Sequence, residues 1–370
     1  MFSGVKRVAV KVGTGTLSRE ENLLDLAFMD ALMDQVAEAR DRGIETVIIT
    51  SGAVGAGMGS LQISRRPTAI DELQALAAIG QSLLMHHYAR AAAHHDIRVA
   101  QVLLTSGEMT QKASYLHVQN ALRALLRMNA VPIVNENDST AVEELRFGDN
   151  DSLSAHVANL ANADLLVLLT DIDGLYNGDP SDPNSELIHT VDRIDHDLEA
   201  ICGGAGSETG TGGMLTKVGA AKTLAASGIP TVIAHGRKVT LGEVLSGEPV
   251  GTLFVPQVDK TRMHYRWILA QKVCGRVVID EGAARALLKR RTSLLPSGVT
   301  RVVGRFKLGE AVSVRKEDGT EVARGLAAYP ASEARKIAGR QSSEIEDVIG
   351  HNAGDEMIHR DNLVIVLNGR

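Results

Sequence analysis

The feature that most constrains the fold is a regular alternation of two patterns along the first two-thirds of the chain. Short aliphatic and β-branched segments predict strands at residues 8–12, 46–50, 99–104, 131–134, 165–169 and 231–234. Apolar residues recur with helical spacing at residues 23–42, 69–95, 113–128, 152–163 and 215–227. Strands that alternate with helices predict an α/β fold in three layers, with a mostly parallel sheet between the helices.

The last quarter of the chain has a different pattern. After a helical stretch at residues 281–290, short β segments follow at 300–303, 311–314 and 321–328. The charge also changes sign, because residues 1–274 carry 23 Lys and Arg against 32 Asp and Glu, whereas residues 275–354 carry 14 against 10. We therefore predict four segments. They are an α/β domain at 1–255, a connector at 256–274, a small mainly-β domain at 275–354 and a tail at 355–370.

The composition excludes several classes of protein. An apolar content of 44% with a net charge of −6 argues against a disordered chain. No apolar run approaches the roughly 20 residues that a membrane-spanning helix needs, and the N-terminus has no signal-peptide pattern. Two cysteines, Cys202 and Cys274, cannot form a disulfide framework or a cysteine zinc site. We expect a cytoplasmic protein with no membrane association.

Small and polar residues follow the first two predicted strands, at the edge where open α/β sheets bind ligands. Lys11 lies in the first strand and precedes glycines at 13 and 15. A lysine there is either paired with an anion or placed at a wet edge, and the sequence leaves both interpretations open. Ser51 and Gly52 follow the second strand. They either direct a hydroxyl and backbone amides at an oxyanion or form a tight turn that serves packing.

Two clusters rich in Asp and Asn, residues 135–138 and 148–151, follow the fourth predicted strand. The second cluster precedes a helical pattern, so helix capping explains it as well as ligand binding does. Together the clusters offer the acceptors and amide donors that suit the ammonium and carboxylate groups of an α-amino acid. Metal binding competes with this hypothesis, but the carboxylate spacing matches no EF-hand loop.

A further pair of segments indicates phosphate binding. The fifth strand leads into Thr170 and Asp171, and a glycine-rich loop at residues 210–213 opens a predicted helix that carries Lys217. Such a loop at a helix N-terminus is a ready phosphate site. The sequence lacks a Walker A motif, a dinucleotide-binding glycine motif after the first strand and protein-kinase signatures. We therefore predict phosphate handling by electrostatics, without a covalent nucleophile.

Taken together, these motifs resemble the amino acid kinase family, and within it the members that phosphorylate the side-chain carboxylate of L-glutamate. The matching segments appear in the family's order over residues 8–217. They are VKVGTGTL, TSGAVGAGM, NENDS, FGDNDSLSA, LLTDIDGLY and TGTGGMLTK. Later segments, RVVIDEGA, SLLPSGV and YPASEARKIAG, resemble a PUA module. The resemblance implies the three-layer amino acid kinase fold followed by a small, mainly-β PUA-like domain.

The resemblance also implies a reaction and a set of residues. The reaction is transfer of the γ-phosphoryl group of ATP to L-glutamate, the first step of proline synthesis from glutamate, with Mg²⁺ bound to the nucleotide and no protein ligand named for the metal. The residues implied at the phosphoryl group are Lys11, Lys217, Asp151 and Gly52. Those implied at glutamate are Ser51, Asp138 and Asn150. Those implied at ATP are Lys11, Thr170, Asp171, Thr211, Gly212, Gly213, Met214, Leu215, Thr216 and Lys217. Inhibition by proline and a homo-oligomer are further implications.

Alternatives remain within and outside the family. Other amino acid kinases act on acetylglutamate, aspartate, carbamate or a nucleoside monophosphate, and the NEND and GDND patterns favour free glutamate over these. An RNA-binding protein is the alternative from a different class, suggested by the PUA-like module and its net charge of +4. The acidic larger domain has no aromatic-rich basic face, which argues against RNA. For the module we expect a regulatory or assembly role.

Overall fold

The computed structural model divides the chain into two units, Met1–Asp259 and Lys260–Arg370. The residues that it describes are 2, 4–19, 23–105, 112–140, 150–203, 213–256, 258, 268–269, 271–290 and 292–366. Each unit has a sheet and a hydrophobic core of its own.

An open sheet forms the centre of the first unit. Its strands are β1 (Arg7–Val12), β2 (Glu45–Ile49), β3 (Arg98–Leu104), β4 (Ala130–Glu136), β5 (Leu165–Thr170), β6 (Thr190–Val191), β7 (Thr231–His235) and β8 (Thr252–Phe254). Among the described residues they form an eight-stranded sheet in the order β3-β4-β2-β1-β5-β7-β8-β6. The first six strands in this order are parallel, and β8 then pairs antiparallel with β7. The parallel strands therefore bring their carboxyl ends to one edge of the sheet.

Helices cover both faces of this sheet. They are α1 (Thr14–Leu17), α2 (Leu26–Asp41), α3 (Ala53–Ser60), α4 (Ile70–Ala93), α5 (Lys112–Arg127), α6 (Asn150–Leu160), α7 (His196–Gly203), α8 (Met214–Ala226) and α9 (Leu241–Ser246). Val8, Val10 and Val12 pack into the cluster that contains α2 and α4, whereas Ala9 packs on the opposite face with α6 and α8. Within the described ranges, no helix is both long and apolar enough to cross a bilayer.

The three-layer fold predicted from the sequence is confirmed. All six predicted strands are present. A parallel strand that is buried on both faces, such as β5, requires a continuous apolar run, and this run made it recognisable in the sequence. The sequence did not reveal β6 and β8, which have only two and three residues. Residues 53–60, for which we predicted no helix, form α3.

The second unit contains a smaller, mostly antiparallel sheet. Its elements are β9 (Val273–Ile279), α10 (Glu281–Arg290), β10 (Val299–Gly304), β11 (Ala311–Lys316), β12 (Glu321–Leu326), α11 (Ala331–Ile337), α12 (Ile345–Ile349) and β13 (Leu363–Ile365). In the described part of this unit the strand order is β10-β9-β11-β12-β13. The predicted mainly-β domain is thus present. The strand β9 begins within the predicted connector, and β13, from the predicted tail, pairs with β12. The domain limits that we gave stay predictions.

Candidate active site

A carboxylate between two lysines lies at the carboxyl edge of the first sheet. Lys11, near the end of β1, places Nζ 2.5 Å from Oδ1 of Asp151. Lys217, in α8, places Nζ 3.1 Å from Oδ2 of the same residue. Thr216 donates its hydroxyl to that Oδ2 at 2.9 Å. The structure therefore brings together Lys11, Asp151 and Lys217, which the sequence placed on three different elements.

Burial makes this charge cluster unusual. Asp151 is fully buried, and Lys11 and Lys217 are 4% and 6% exposed. Charges in such a site require partners, and the carboxylate also lies in the first turn of α6, where the helix dipole favours a negative charge. In these contacts two ammonium groups share one carboxylate. Such an arrangement suits an anionic ligand at this edge of the sheet.

The loops after β1 and β2 meet beside the lysines. Gly52 has φ of 85°, a left-handed conformation that favours glycine, and it is the N-cap of α3. A Cβ at this position would lie 3.7 Å from Cγ2 of Thr14. The family resemblance also implies backbone amides around Gly13 at the phosphoryl group, but the Gly13 amide itself donates to the carbonyl of Leu169. The next two amides, of Thr14 and Gly15, begin α1 and have no acceptor within that helix.

Side-chain amides surround the end of β2. Nδ2 of Asn150 lies within hydrogen-bond distance of three oxygen atoms: the Thr50 carbonyl at 2.8 Å, Oγ of Ser51 at 3.0 Å and Oδ1 of Asn135 at 3.0 Å. Its two hydrogens are shared among these three acceptors. The side-chain amide nitrogen of Asn150 therefore faces the residues at the ends of β2 and β4. Asp138, the third residue predicted at the amino acid, lies in the turn that follows β4.

Further residues of this network were not predicted from the sequence. Gln81 of α4 accepts a 2.8 Å hydrogen bond from Nδ2 of Asn135. Tyr88, also in α4 and fully buried, lies 3.1 Å from the Thr50 hydroxyl, and burial raises the pKa of its phenol to about 12. The signal for Gln81 was an amide side chain that follows a run of small and apolar residues within a helix. Helical periodicity alone gives no reason to single it out.

The residues predicted at ATP lie on two elements. Thr170 ends β5 and donates its hydroxyl to Asp171 at 2.9 Å. Gly213 is the N-cap of α8, without a side-chain cap, so the first amides of this helix are available to an anion. Met214 is half-buried and Leu215 is 51% exposed. Thr211 and Gly212 lie outside the described residues.

An ion pair between Lys238 and Asp173 lies close to the residues predicted at ATP, two positions after Asp171 in the chain. Lys238 donates to Asp173 at 2.7 Å, and the Tyr176 hydroxyl donates to the other carboxylate oxygen. The hydrogen bond from Lys238 lowers the pKa of Asp173 more than partial burial raises it. This cluster joins the segment after β5 to the segment after β7.

A second ion pair holds the loop that carries Thr14 and Gly15. Arg237, which follows β7, places Nη1 2.5 Å from Oδ2 of Asp25. Its Nη2 donates to the carbonyls of Thr16 and Ser18. Asp25 is also the N-cap of α2. These contacts join the loop after β1 to the segment after β7, across the intervening strand β5. No pattern in the sequence predicted them.

Comparison with known proteins gives two consistent results. The model of the amino acid kinase family matches residues 6–235, and that of the PUA domain matches residues 275–349. A glutamate 5-kinase from Trichlorobacter lovleyi is 46% identical over 369 residues, which are 99% of this chain and 98% of the relative. A glutamate 5-kinase from Moorella thermoacetica is 45% identical over 368 residues, which are 99% of this chain and 97% of the relative.

A solved structure agrees at the level of the fold. Carbamate kinase from Giardia lamblia, bound to AMP-PNP, superposes with a TM-score of 0.51 at 16% identity. The match covers 70% of this chain and all of that protein. The family match covers the six successive parallel strands of the sheet, β1 to β5 and β7. This chain is therefore a member of the amino acid kinase family that carries a PUA domain.

Proposed function

We propose that this chain transfers the γ-phosphoryl group of ATP to the side-chain carboxylate of L-glutamate, which gives L-glutamyl 5-phosphate and ADP. Full-length similarity to glutamate 5-kinases is the single observation that carries the proposal. ATP is the donor, as in a kinase of this family. The reaction would start proline synthesis from glutamate.

The chemistry of the acceptor agrees with the composition of the site. A glutamate side chain has a pKa of about 4.3, so it is already ionised near neutral pH and needs no general base. Phosphoryl transfer between two anions then depends on alignment and on neutralisation of charge. Two buried lysines beside a cluster of amides supply both requirements.

We assign roles to the residues as part of the proposal. Lys11 and Lys217 lie on either side of the transferring phosphoryl group, and Asp151 holds both ammonium groups in place. Amides at the start of α3, after Gly52, support the phosphoryl oxygens. Ser51, Asp138 and Asn150 bind glutamate. The residues at ATP are Lys11, Thr170, Asp171, Gly213, Met214, Leu215, Thr216 and Lys217, with Thr211 and Gly212 beyond the described part.

Magnesium fits this site as an ion that arrives with the nucleotide. The Asp151 oxygens already accept bonds from Lys11, Lys217 and Thr216. Among the described residues, no group of three His, Cys, Asp or Glu side chains is arranged to hold a metal ion. We therefore propose that phosphate oxygens and water supply most of its ligands. The ion would neutralise phosphate charge, and its omission should abolish turnover.

An acceptor panel tests the proposed reaction. ADP formation from ATP and Mg²⁺ is measured with L-glutamate, N-acetyl-L-glutamate, L-aspartate and UMP, and hydroxylamine traps any acyl phosphate. Hydroxamate with L-glutamate alone is the expected result. Turnover with another acceptor, and none with L-glutamate, would contradict the proposed substrate and retain the family.

We also propose inhibition by proline and assembly into a homo-oligomer, both implied by the family resemblance. Proline should reduce hydroxamate formation, and the inhibition should weaken as glutamate increases if the two amino acids compete. Sedimentation equilibrium should give a mass of two or more times the 39.4 kDa of one chain. A monomer without any response to proline would contradict both.

A further inference from the structure

Packing does not explain the buried amide of Gln81 in α4. The side chain is 8% exposed and lies on the helix face of Ala77 and Leu84. Its Oε1 accepts the bond from Asn135, but its Nε2 has no hydrogen-bond partner among the described residues. A buried donor without an acceptor destabilises the folded state, so an apolar side chain of similar size would suit packing better. The reason for a glutamine at this position is therefore to be sought in its oxygen atom, which accepts the hydrogen bond from Asn135.

Two backbone groups set the direction of the amides that connect Gln81 with the site. The Glu136 amide donates to Oδ1 of Asn135 at 2.9 Å. This leaves Nδ2 of Asn135 to face Gln81, which must present its oxygen. At the other end, the Thr50 carbonyl accepts from Nδ2 of Asn150. A backbone N–H can only donate and a carbonyl can only accept, so the assignment does not depend on a choice of amide flip.

The three amides thus form a chain with one polarity. Asn150 donates to Asn135, and Asn135 donates to Gln81, at 3.0 Å and 2.8 Å. Nδ2 of Asn150 faces protein oxygens. No donor from the described residues is bound to its Oδ1, so this atom can face a ligand. On the proposed function, that ligand is an amino acid whose ammonium group requires an acceptor.

From this arrangement we infer that Gln81 is a positioning residue for the amino acid acceptor. Its Oε1 fixes the side chain of Asn135, and Asn135 in turn keeps Nδ2 of Asn150 directed at the protein and Oδ1 directed at the ligand. The inference rests on the proposed function. Gln81 acts through Asn135 and does not need to touch the substrate.

The position of Gln81 follows from the packing of two helices. A Cβ on Gly80 would lie 1.8 Å from the Ala53 carbonyl oxygen, so α4 crosses α3 in direct backbone contact at this point. The next residue, Gln81, is thereby held against the end of β4. Loss of its acceptor would leave the Asn135 amide held by the Glu136 amide, and the Asn150 amide held by the Thr50 carbonyl and Ser51, so rotation of either side chain would become less costly. A rotated Asn150 would present a donor to an ammonium group, which weakens binding of the amino acid without affecting ATP.

Gln81→Met tests this inference because it keeps the size of the side chain and removes the acceptor. We expect KM for L-glutamate to rise roughly 10-fold, the scale of one hydrogen bond to a charged ligand. KM for ATP and the melting temperature should stay near the wild-type values. In an Asn135→Ala background, Gln81→Met should have no further effect on KM for glutamate, since its action passes through Asn135. Gln81→Leu serves as a second apolar variant.

Thr46→Val is the matched control. Thr46 lies at the opposite end of β2, and its buried hydroxyl also has no hydrogen-bond partner among the described residues. KM for glutamate should not change in this variant. An unchanged KM in Gln81→Met, equal losses for glutamate and ATP, or failure of both apolar variants to fold would overturn the inference. Wild-type turnover of L-glutamate separates such a failure from failure of the proposed function, whereas a wild type inactive with L-glutamate overturns both.

Discussion

At the scale of single residues, the charge of the site depends on Asp151. Its carboxylate accepts from Lys11, Lys217 and Thr216, so none of its strong contacts is made with solvent. The carboxylate thereby holds the two lysine side chains next to each other, in a place where unpaired ammonium groups would repel each other. On the proposed function, the two ammonium groups would stabilise a phosphoryl group in transfer.

Lys217→Ala tests this role of the charge. We expect kcat for hydroxamate formation to fall roughly 100- to 1000-fold, as on loss of one group that stabilises developing negative charge. Circular dichroism should show an intact fold, because Asp151 keeps Lys11 and Thr216 as partners. Lys222→Ala, at an exposed position of the same helix, is the control and should retain activity. Near-normal turnover by Lys217→Ala would exclude the assigned role.

Asp25→Asn tests the ion pair beside the β1 loop through its dependence on pH. Burial raises the pKa of Asp25, but hydrogen bonds from Arg19, Arg237 and the Phe28 amide together outweigh burial and lower it from 3.8 to about 2. A carboxyl group with a lowered pKa stabilises the folded state above its unfolded pKa, and this contribution is lost as the pH falls through the folded pKa. Near neutral pH, the free energy of unfolding of the wild type should exceed that of Asp25→Asn by about 2 kcal/mol.

Urea unfolding at a series of pH values measures this difference. It should shrink steadily below about pH 4, where the unfolded carboxyl group takes up a proton. Asp192→Asn, at an exposed carboxylate, should differ little from wild type across the series. A difference for Asp25→Asn that does not change with pH would show that packing, and not charge, holds the loop.

At the scale of elements, the crossing of α3 and α4 places the acceptor network. Gly57 and Gly80 let the two backbones touch, because a Cβ on Gly57 would lie 2.1 Å from the Leu76 carbonyl oxygen. The sequence left two interpretations of the glycine-rich segment after β2, ligand binding and packing. Gly57 serves packing, whereas Gly52 has a positive φ at the edge of the site. Close helix packing is thus served by Gly57, and the turn at the edge of the site by Gly52.

Gly80→Ala should destabilise the first unit by about 3 kcal/mol, the upper range for overpacking, because the methyl group would overlap backbone atoms that cannot move aside. Urea denaturation measures the effect. Gly219→Ala is the matched control, since Gly219 lies in α8 with open space around it. That change should stabilise the protein by about 0.5–1 kcal/mol through helix propensity. Equal effects of the two substitutions would contradict the close crossing.

At the scale of the whole molecule, the two units differ in architecture and in charge. All the described residues assigned to the reaction lie in the first unit, which has hydrophobic clusters on both faces of its sheet. The second unit has its own cluster, which includes the fully buried Ile337. Separate cores are the physical condition for domains that fold independently.

A chain that ends at residue 256 should therefore fold and form hydroxamate from L-glutamate, with kcat within roughly an order of magnitude of the full chain. Ile337→Ala in the full chain is the companion variant. It should destabilise the second unit by about 2–5 kcal/mol, the range for loss of a large buried side chain, and leave turnover nearly unchanged. A shortened chain that is folded but inactive would show that the second unit contributes to catalysis.

The sequence predicted the fold well where burial imposes a pattern. A strand such as β5, covered on both faces, must be apolar throughout, and covering helices must have an apolar face. Strands of two or three residues, such as β6 and β8, carry no such pattern. The helix α3 was missed because its glycines are poor helix formers, and tertiary packing overrides that preference.

The sequence by itself determined the order of strands and helices and the residues that follow each strand, because parallel strands must bring those residues to one edge. It therefore identified Lys11, Asp151 and Lys217 as candidates. Only the tertiary structure decided that Asp151 joins the two lysines, which lie 140 and 66 residues away along the chain. It also decided that Gln81 contacts Asn135. Such pairs depend on sheet order and on where helices cross, and no local pattern in the sequence encodes these distances.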